Sequence, residues 1–409
     1  MMEKISIQGG KPLFGKVEIS GSKNSSLSIL ASCLLTDKQI SISGVPKLTD
    51  TFFFLELLSS FGVDIEGLNN FKNTKKFILN AKKITNNKAP YNLVKKMRAS
   101  ILVLGPLLAR TGRAIVSLPG GCTIGLRPVD IHLKSLEKLG AKIFIEKGYI
   151  YAEALKGLKG NKIIFPKVSV GATINVLMAA VLAKGTTEIY NAAKEPEIED
   201  LGFCLRSMGA KIQGLGTNKI LVEGVTKLKE TNYKVMFDRI EAGTYALAVA
   251  IAGGEIELIG AEKKLLTYFL NILENIGVEY IVTENSIIFK RRSNSLNPVD
   301  IITEPYPGFP TDLQAQLMAV MAISNGTSII TENIFENRFM HTPELIRMGA
   351  KIKLKGNSAI VEGVKKLKGA EVMATDLRAS VSLVLAGLVA EGTTNIDRIY
   401  HIDRGYQDI

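Results

Sequence analysis

A cysteine in a glycine-rich segment is the residue of this chain best suited to covalent chemistry. Cys122 follows a Pro-Gly-Gly run and stands five residues before Arg127, so a thiol and a guanidinium group share one short segment. Glycine allows backbone conformations closed to other residues, and such segments form loops that carry reactive groups over a site. Taken alone, Cys122 is equally compatible with an unreactive loop cysteine. Cys33 and Cys204 lie among apolar residues, where a thiol behaves as a small hydrophobe.

Cations also stand close to the starts of several apolar segments that predict buried helices. Ordinary capping explains the Ser, Thr and Asp residues at these starts, but it does not explain Lys23, Arg98, Arg378 or the nearby Arg127. Helix N-termini carry partial positive charge and free N–H groups, so several of them together with these cations would bind an anion. A phosphorylated or carboxylated ligand is therefore expected. The six helix starts lie at 23–26, 97–100, 169–173, 239–244, 310–313 and 375–380.

The elements that must position these residues recur along the chain. An amphipathic helix that ends in glycine and leads into a short strand appears with glycines at 62, 140, 209, 277 and 349, about 70 residues apart. Together with the six apolar helices, this predicts six α/β units, three in each of two domains. A sixth glycine cap would fall beyond Ile409, so we expect the sixth unit to be cut short and Arg404 to lie on a loosely held end.

Composition narrows the class of protein. A chain of 409 residues with 46% hydrophobic residues can fill about two cores. Three cysteines give no disulfide framework, and three scattered histidines predict no metal site. The N-terminus lacks a signal-peptide pattern and no apolar run reaches the length that spans a bilayer, so a cytoplasmic location without membrane insertion is expected. The net charge of +12 suits nucleic acid, an anionic membrane face or small anionic substrates alike.

Several long motifs lie in order along the chain, at 19–24, 98–101, 118–125, 127–130, 194–198, 309–312, 335–341, 374–380 and 401–406. Together they resemble those of the enolpyruvyl transferases that act on UDP-N-acetylglucosamine. The resemblance implies an inside-out α/β barrel fold in two domains, 21–236 with the cysteine loop at 118–128, and 1–20 plus 237–409. It also implies transfer of the enolpyruvyl group of phosphoenolpyruvate to the 3-hydroxyl of UDP-N-acetylglucosamine, with release of phosphate, in peptidoglycan precursor synthesis.

The resemblance also implies roles for single residues. Cys122 would donate a proton to the methylene carbon and could add covalently to phosphoenolpyruvate, and Asp312 would be the base for the sugar hydroxyl. Phosphate would be held by Lys23, Arg127 and Arg404, and the carboxylate would face Arg338 and Arg378. The nucleotide sugar would contact Asn24, Arg98, Arg127, Pro128, Val129, Asp130, Ile131, His132, Lys167, Ser169, Val170, Gly171, Thr311, Asp312 and Ile334. Supporting positions would be Glu195, Glu197, Asp238, Glu336 and Asp376.

Alternatives remain open at this point. His132 could be a hydrogen-bonded helix histidine, and Arg98 could form a surface pair with Glu195 or Glu197. The sister enzymes that act on shikimate 3-phosphate share the fold and chemistry but lack the Pro-Gly-Gly-Cys run. A nucleic-acid-binding or RNA-end-processing protein is a further alternative, although the chain has no tryptophan, RNP-like strand or Walker sequence. No cofactor, nucleic acid or obligate protein partner is expected.

Overall fold

A computed structural model of the chain describes residues 3–119, 129–293 and 295–409. Its contacts divide the chain into two compact units. Unit I contains the described residues between 21 and 236, and unit II contains those before 21 and after 236. Both units combine helices with small mixed sheets, so the expected α/β class is confirmed. Cys122, Arg127 and Pro128 lie outside the described residues.

The α-helices of the described chain differ in burial, and short 3-10 turns precede or follow several of them. These 3-10 turns include Arg98–Val103, Thr311–Leu313 and Ile399–His401. The helices are α1 (Lys23–Ala31), α2 (Thr49–Ser60), α3 (Tyr91–Val94), α4 (Leu104–Thr111), α5 (Asp130–Lys138), α6 (Val170–Ala180), α7 (Pro196–Ser207), α8 (Arg239–Ala252), α9 (Thr267–Ile276), α10 (Gln314–Met321), α11 (Thr342–Arg347) and α12 (Ser380–Val389).

The strands are short and mostly alternate between buried and exposed residues, as expected for sheets with one face in the core. They are β1 (Ile5–Gln8), β2 (Leu13–Glu18), β3 (Gln39–Ser43), β4 (Asp64–Glu66), β5 (Lys76–Asn80), β6 (Lys88–Ala89), β7 (Arg113–Ser117), β8 (Lys142–Glu146), β9 (Tyr149–Glu153), β10 (Lys162–Ile164), β11 (Thr186–Tyr190), β12 (Lys211–Gln213), β13 (Lys219–Glu223), β14 (Thr231–Lys234), β15 (Gly254–Ile259), β16 (Glu279–Val282), β17 (Ser286–Arg291), β18 (Ile301–Thr303), β19 (Thr327–Glu332), β20 (Lys351–Lys355), β21 (Ser358–Glu362), β22 (Glu371–Met373) and β23 (Thr393–Asp397).

One strand arrangement recurs in the sheets of both units. An outer strand runs parallel to its neighbour, which pairs antiparallel with the second strand of a hairpin. Unit I has the orders β14-β3-β5-β4, β6-β7-β9-β8 and β10-β11-β13-β12, and unit II has β2-β15-β17-β16 and β18-β19-β21-β20. The sixth sheet, β22-β23-β1, keeps the parallel pair but takes its antiparallel strand from residues 5–8. The predicted architecture of six repeated units is therefore confirmed.

The five predicted glycine caps have the backbone conformation that this role needs. Gly62, Gly140, Gly209, Gly277 and Gly349 have φ angles between 91° and 101°, in the left-handed region that L side chains rarely adopt. Each follows an amphipathic helix and precedes a strand of its unit. These positions therefore end α2, α5, α7, α9 and α11 as the sequence predicts.

The core of each unit is built around the predicted apolar helices. In unit I, α4 packs on α6, and the turn Arg98–Val103 contacts both α1 and α6. In unit II, α8, α10 and α12 pack on one another, and every residue of α10 is buried. These helices are apolar on all sides because they are covered on all sides. Within the described part of the chain, no helix combines the length and apolar character needed to cross a bilayer.

Candidate active site

The start of α1 in unit I places a buried cation beside a buried carboxylate. The Nζ atom of Lys23 lies 2.7 Å from Oδ2 of Asp50, and their side chains are only 11% and 2% exposed. Ser22 caps the helix by accepting a hydrogen bond from the Ser25 N–H group at 3.3 Å. Asn24 is exposed at the same helix end. The ion pair holds the Lys23 cation at a helix N-terminus. The cation and the helix N-terminus both favour a bound anion.

Asp200 anchors the first turn of α1. Its carboxylate accepts hydrogen bonds from the Ser25 hydroxyl, the Tyr233 hydroxyl at 2.6 Å and the Met236 N–H group at 3.2 Å. Burial raises the pKa of Asp200 above its usual value. The sequence does not reveal this residue, because its partners lie far away along the chain.

A second polar group of unit I lies where α5 meets α6. Val129, Ile131 and His132 are buried, whereas Asp130 is exposed. Burial lowers the pKa of His132 to about 4, with a further decrease from Arg98 and an opposing effect of Asp130. The imidazole is therefore neutral at neutral pH.

The N-terminus of α6 lies directly beside this histidine. Ser169 caps the helix, accepting a hydrogen bond from the Ala172 N–H group at 3.3 Å. A Cβ atom at Gly171 would lie 3.0 Å from Cε1 and 3.2 Å from Nε2 of His132, so the ring packs against the glycine. Val170 is half-buried and Lys167 is exposed. This part of the predicted set is brought together as one surface of unit I.

Unit II contains a carboxylate between two buried guanidinium groups. Asp312 lies in the 3-10 turn before α10, with Oδ1 2.8 Å from Nη2 of Arg338 and Oδ2 3.7 Å from Nε of Arg378. Both arginine side chains are only 4% exposed, whereas the Asp312 side chain is 27% exposed. Three residues predicted to act on the reacting groups thus form one cluster.

Arg378 is held from several directions. Its Nη1 donates to the Gly405 carbonyl at 3.4 Å, its Nη2 lies 3.9 Å from Oδ2 of Asp238, and its guanidinium carbon lies 5.5 Å from the centre of the Tyr406 ring. Burial alone would lower the pKa of Arg378, but Tyr406, Asp238 and Asp312 together raise it. The Asp376 carboxylate accepts a hydrogen bond from the backbone N–H group of Arg378 at 2.8 Å. The cation is therefore fixed and charged.

Thr311 and Ile334, both predicted to contact the sugar, are connected by a buried carboxylate that no sequence pattern reveals. Glu332 accepts hydrogen bonds from the Thr311 hydroxyl at 2.8 Å and from the N–H groups of Ile334 and Phe335 at 2.8 and 3.0 Å. Only 4% of Glu332 is exposed. It fixes the backbone at 334–335 against the turn that carries Asp312.

Arg404 does not lie on a loosely held end, contrary to the expectation from the sequence. It is half-buried and precedes Gly405 and Tyr406, which are both buried. The Tyr406 hydroxyl lies within hydrogen-bond distance of the Thr244 hydroxyl at 2.9 Å and of Nε2 of Gln316 at 3.2 Å. These hydrogen bonds tie the buried Tyr406 into the packed core, and a terminal segment held in this way does not fray.

The described residues also include a buried histidine that no predicted role uses. His341 has no exposed surface, and neither ring nitrogen has a hydrogen-bond partner among the described residues. Burial lowers its pKa to about 4, although Asp376 acts in the opposite direction. Across the described ranges, no three His, Cys, Asp or Glu side chains are grouped so that they could hold a metal ion.

Comparison with known proteins defines the class. The family model of EPSP synthase (3-phosphoshikimate 1-carboxyvinyltransferase) matches residues 7–409. The chain therefore belongs to this family of enolpyruvyl transferases, and it is a transferase. The enolpyruvyl transferase NikO from Streptomyces tendae superposes with a TM-score of 0.86 at 23% identity, covering 99% of this chain and 95% of that one. EPSP synthase from Acinetobacter baumannii gives a TM-score of 0.72 at 22% identity, covering 96% and 94%. These two likenesses show the fold.

More similar relatives carry a more specific name. A UDP-N-acetylglucosamine 1-carboxyvinyltransferase of Caulobacter sp. (strain K31) is 55% identical over 99% of this chain and 94% of its own length. A protein of the same name from Dinoroseobacter shibae is 53% identical over 100% of this chain and 96% of its own length. The resemblance inferred from the motifs is thus confirmed.

Proposed function

We propose that this chain transfers the enolpyruvyl group of phosphoenolpyruvate to the 3-hydroxyl of UDP-N-acetylglucosamine, releasing phosphate, as a step of peptidoglycan precursor synthesis in the cytoplasm. The observation that carries the proposal is the likeness to relatives of that name, at more than 50% identity over nearly the whole chain. The Pro-Gly-Gly-Cys run, absent from the sister enzymes, favours the nucleotide sugar over shikimate 3-phosphate as acceptor.

The reaction is an addition followed by an elimination. In the addition, an acid protonates the methylene carbon of phosphoenolpyruvate, the sugar oxygen bonds to its C2 carbon, and a base takes the proton of the sugar hydroxyl. In the elimination, the methyl carbon loses a proton and the C2–O bond to phosphate breaks. Cys122 is the proposed acid and Asp312 the proposed base.

The cluster of unit II suits the second of these roles. Arg338 and Arg378 stabilise the ionised form of Asp312, the form that a base requires. The carboxylate of phosphoenolpyruvate would share these guanidinium groups with Asp312. Binding of phosphoenolpyruvate would weaken the ion pairs of Arg338 and Arg378 with Asp312, and Asp312 could then accept the proton of the sugar hydroxyl. Lys23, Arg127 and Arg404 would neutralise the charge of the departing phosphate.

A phosphate-release assay with matched acceptors tests the proposal. Phosphate should appear from phosphoenolpyruvate only when UDP-N-acetylglucosamine is added, and shikimate 3-phosphate should not replace it. Release with shikimate 3-phosphate alone would assign the chain to the sister activity. Absence of release with either acceptor, together with tight RNA binding, would contradict the proposal.

A further inference from the structure

Asn175 is a fully buried side chain in the middle of α6. Its Oδ1 atom accepts a hydrogen bond from the Gly105 N–H group at 2.8 Å. Its Nδ2 atom donates to the Ile101 carbonyl at 3.1 Å and lies 2.9 Å from Nδ1 of His132. The amide thus connects α6 with three other parts of unit I, and one of these contacts is to a residue of the predicted nucleotide-sugar set.

The neighbours of this amide fix its orientation. If the oxygen and nitrogen of Asn175 exchanged places, the oxygen would face the Ile101 carbonyl and the nitrogen would face the Gly105 N–H group. Both contacts would pair like with like, so only one orientation forms hydrogen bonds. Nδ2 therefore donates to Nδ1 of His132, and Nδ1 must be the nitrogen without a proton.

The remaining ring nitrogen is directed at the helix N-terminus. Nε2 of His132 lies 3.2 Å from the place where Gly171 would carry a Cβ atom, and it has no hydrogen-bond partner among the described residues. Only 7% of His132 is exposed. The N–H groups of Val170 and Gly171, the first two of α6, have no acceptor within the helix, so they and Nε2 present donors to the same place.

We propose that Asn175 is a positioning residue that keeps the proton of neutral His132 on Nε2, where it donates to an anionic group bound at the N-terminus of α6. The identity of that group rests on the proposed function: UDP-N-acetylglucosamine carries a diphosphate, and we assign that diphosphate to this helix N-terminus. With the proton on Nδ1, the Nε2 lone pair would face the anion and repel it. Two charged groups act on His132, Arg98 from the turn before α4 and Asp130 from its own helix.

Histidine ¹⁵N NMR measures the proton position directly, without reference to activity. The chain has three histidines, so a His132→Leu variant assigns the signals. In the ligand-free protein we expect His132 to show a protonated Nε2 and an unprotonated Nδ1 from pH 6 to 8. A proton on Nδ1 in this range would overturn the proposal.

The Asn175→Asp variant tests how the position of the His132 proton affects the binding of UDP-N-acetylglucosamine. It keeps the size of the side chain and the acceptor for Gly105, but its carboxylate can only accept and so favours a proton on Nδ1. At pH 8 the dissociation constant of UDP-N-acetylglucosamine should rise about tenfold to a hundredfold, as for the loss of a hydrogen bond to a charged group. Calorimetric titration measures this change, and thermal unfolding checks that the variant is folded.

The same Asn175→Asp change, made in a protein that already carries His132→Leu, separates an effect that passes through His132 from general structural damage. There the Asn175→Asp change should cause no further loss of affinity, because its effect passes through the imidazole. An equal loss in both backgrounds, or an unchanged affinity despite a moved proton, would overturn the proposal. If the unaltered protein has the proton on Nε2 but does not bind UDP-N-acetylglucosamine, the proposed function is wrong and the donor role falls with it. The positioning of His132 by Asn175 would then still stand.

Discussion

At the scale of single residues, the carboxylate of Asp312 is the most informative group. It lies 2.8 Å from one guanidinium nitrogen of Arg338 and 3.7 Å from one of Arg378, and both arginines are buried. Such an arrangement keeps a carboxylate ionised, and 27% of the Asp312 side chain stays exposed. The sequence places Asp312 at a helix start, but it does not show that both arginines converge on it.

Removing the charge of Asp312 should slow turnover strongly while preserving nucleotide-sugar binding. We expect Asp312→Asn to lower kcat by about a hundredfold or more, the usual contribution of a general base. Steady-state kinetics measures the loss, and calorimetry measures UDP-N-acetylglucosamine affinity. Asp397→Asn makes the same chemical change at an exposed carboxylate at the end of β23 and should behave as the unaltered protein. Near-normal turnover of Asp312→Asn would contradict the assignment.

Replacement of Cys122 tests the proposed acid. Cys122→Ser should lose most activity, because a hydroxyl is a far weaker acid than a thiol. Cys122→Asp retains an acidic group and should keep much more activity, while resisting the epoxide fosfomycin, because it lacks the thiol that an epoxide alkylates. Inhibition assays on both variants measure the difference. If Cys122→Ser is fully active, another residue supplies the proton.

At the scale of elements, prediction from sequence succeeds where the determining interactions are local. The glycines that end α2, α5, α7, α9 and α11 are recognisable because a cap depends on one residue and its helix. The apolar helices are recognisable because covered faces must be apolar. In contrast, Thr311 is joined to Glu332 across 21 positions and Gly105 to Asn175 across 70. No single-sequence pattern specifies such pairs, so these site-supporting residues become visible only in the structure.

The close approach of α4 to α6 gives a prediction at this scale. A Cβ atom at Gly105 would lie 2.3 Å from the backbone carbonyl oxygen of Asn175, so the two helices must move apart if it is replaced. We expect Gly105→Ala to destabilise the protein by about 1–3 kcal/mol, the usual cost of overpacking. Denaturant unfolding measures this cost. A variant as stable as the unaltered protein would show that α4 and α6 pack less tightly.

At the scale of the whole molecule, each unit buries a neutral histidine. Burial lowers the pKa of His132 in unit I and of His341 in unit II to about 4, whereas an unfolded histidine titrates near its ordinary value. The unfolded chain therefore binds protons first as pH falls. Stability is fully present above the unfolded pKa of about 6.5 and is lost towards pH 4.

Acid unfolding of a His341 variant tests this linkage. Between pH 7 and pH 5 each buried histidine should remove about 2 kcal/mol of unfolding free energy. His341→Gln should therefore show a shallower decline over this range, whatever its stability at pH 7. Urea unfolding at several pH values gives the slopes. Equal slopes for the variant and the unaltered protein would show that His341 is not held neutral in the folded state.

The central claim is the transfer reaction itself, and NMR of the product from ¹³C-labelled phosphoenolpyruvate tests it most directly. Incubation with UDP-N-acetylglucosamine should convert the labelled group into an enolpyruvyl ether on the sugar 3-oxygen, with one phosphate released for each ether formed. The Asp312→Asn variant should give this product far more slowly. Labelled phosphoenolpyruvate that stays unchanged with UDP-N-acetylglucosamine, or that is consumed without forming the 3-oxygen ether, would contradict the account.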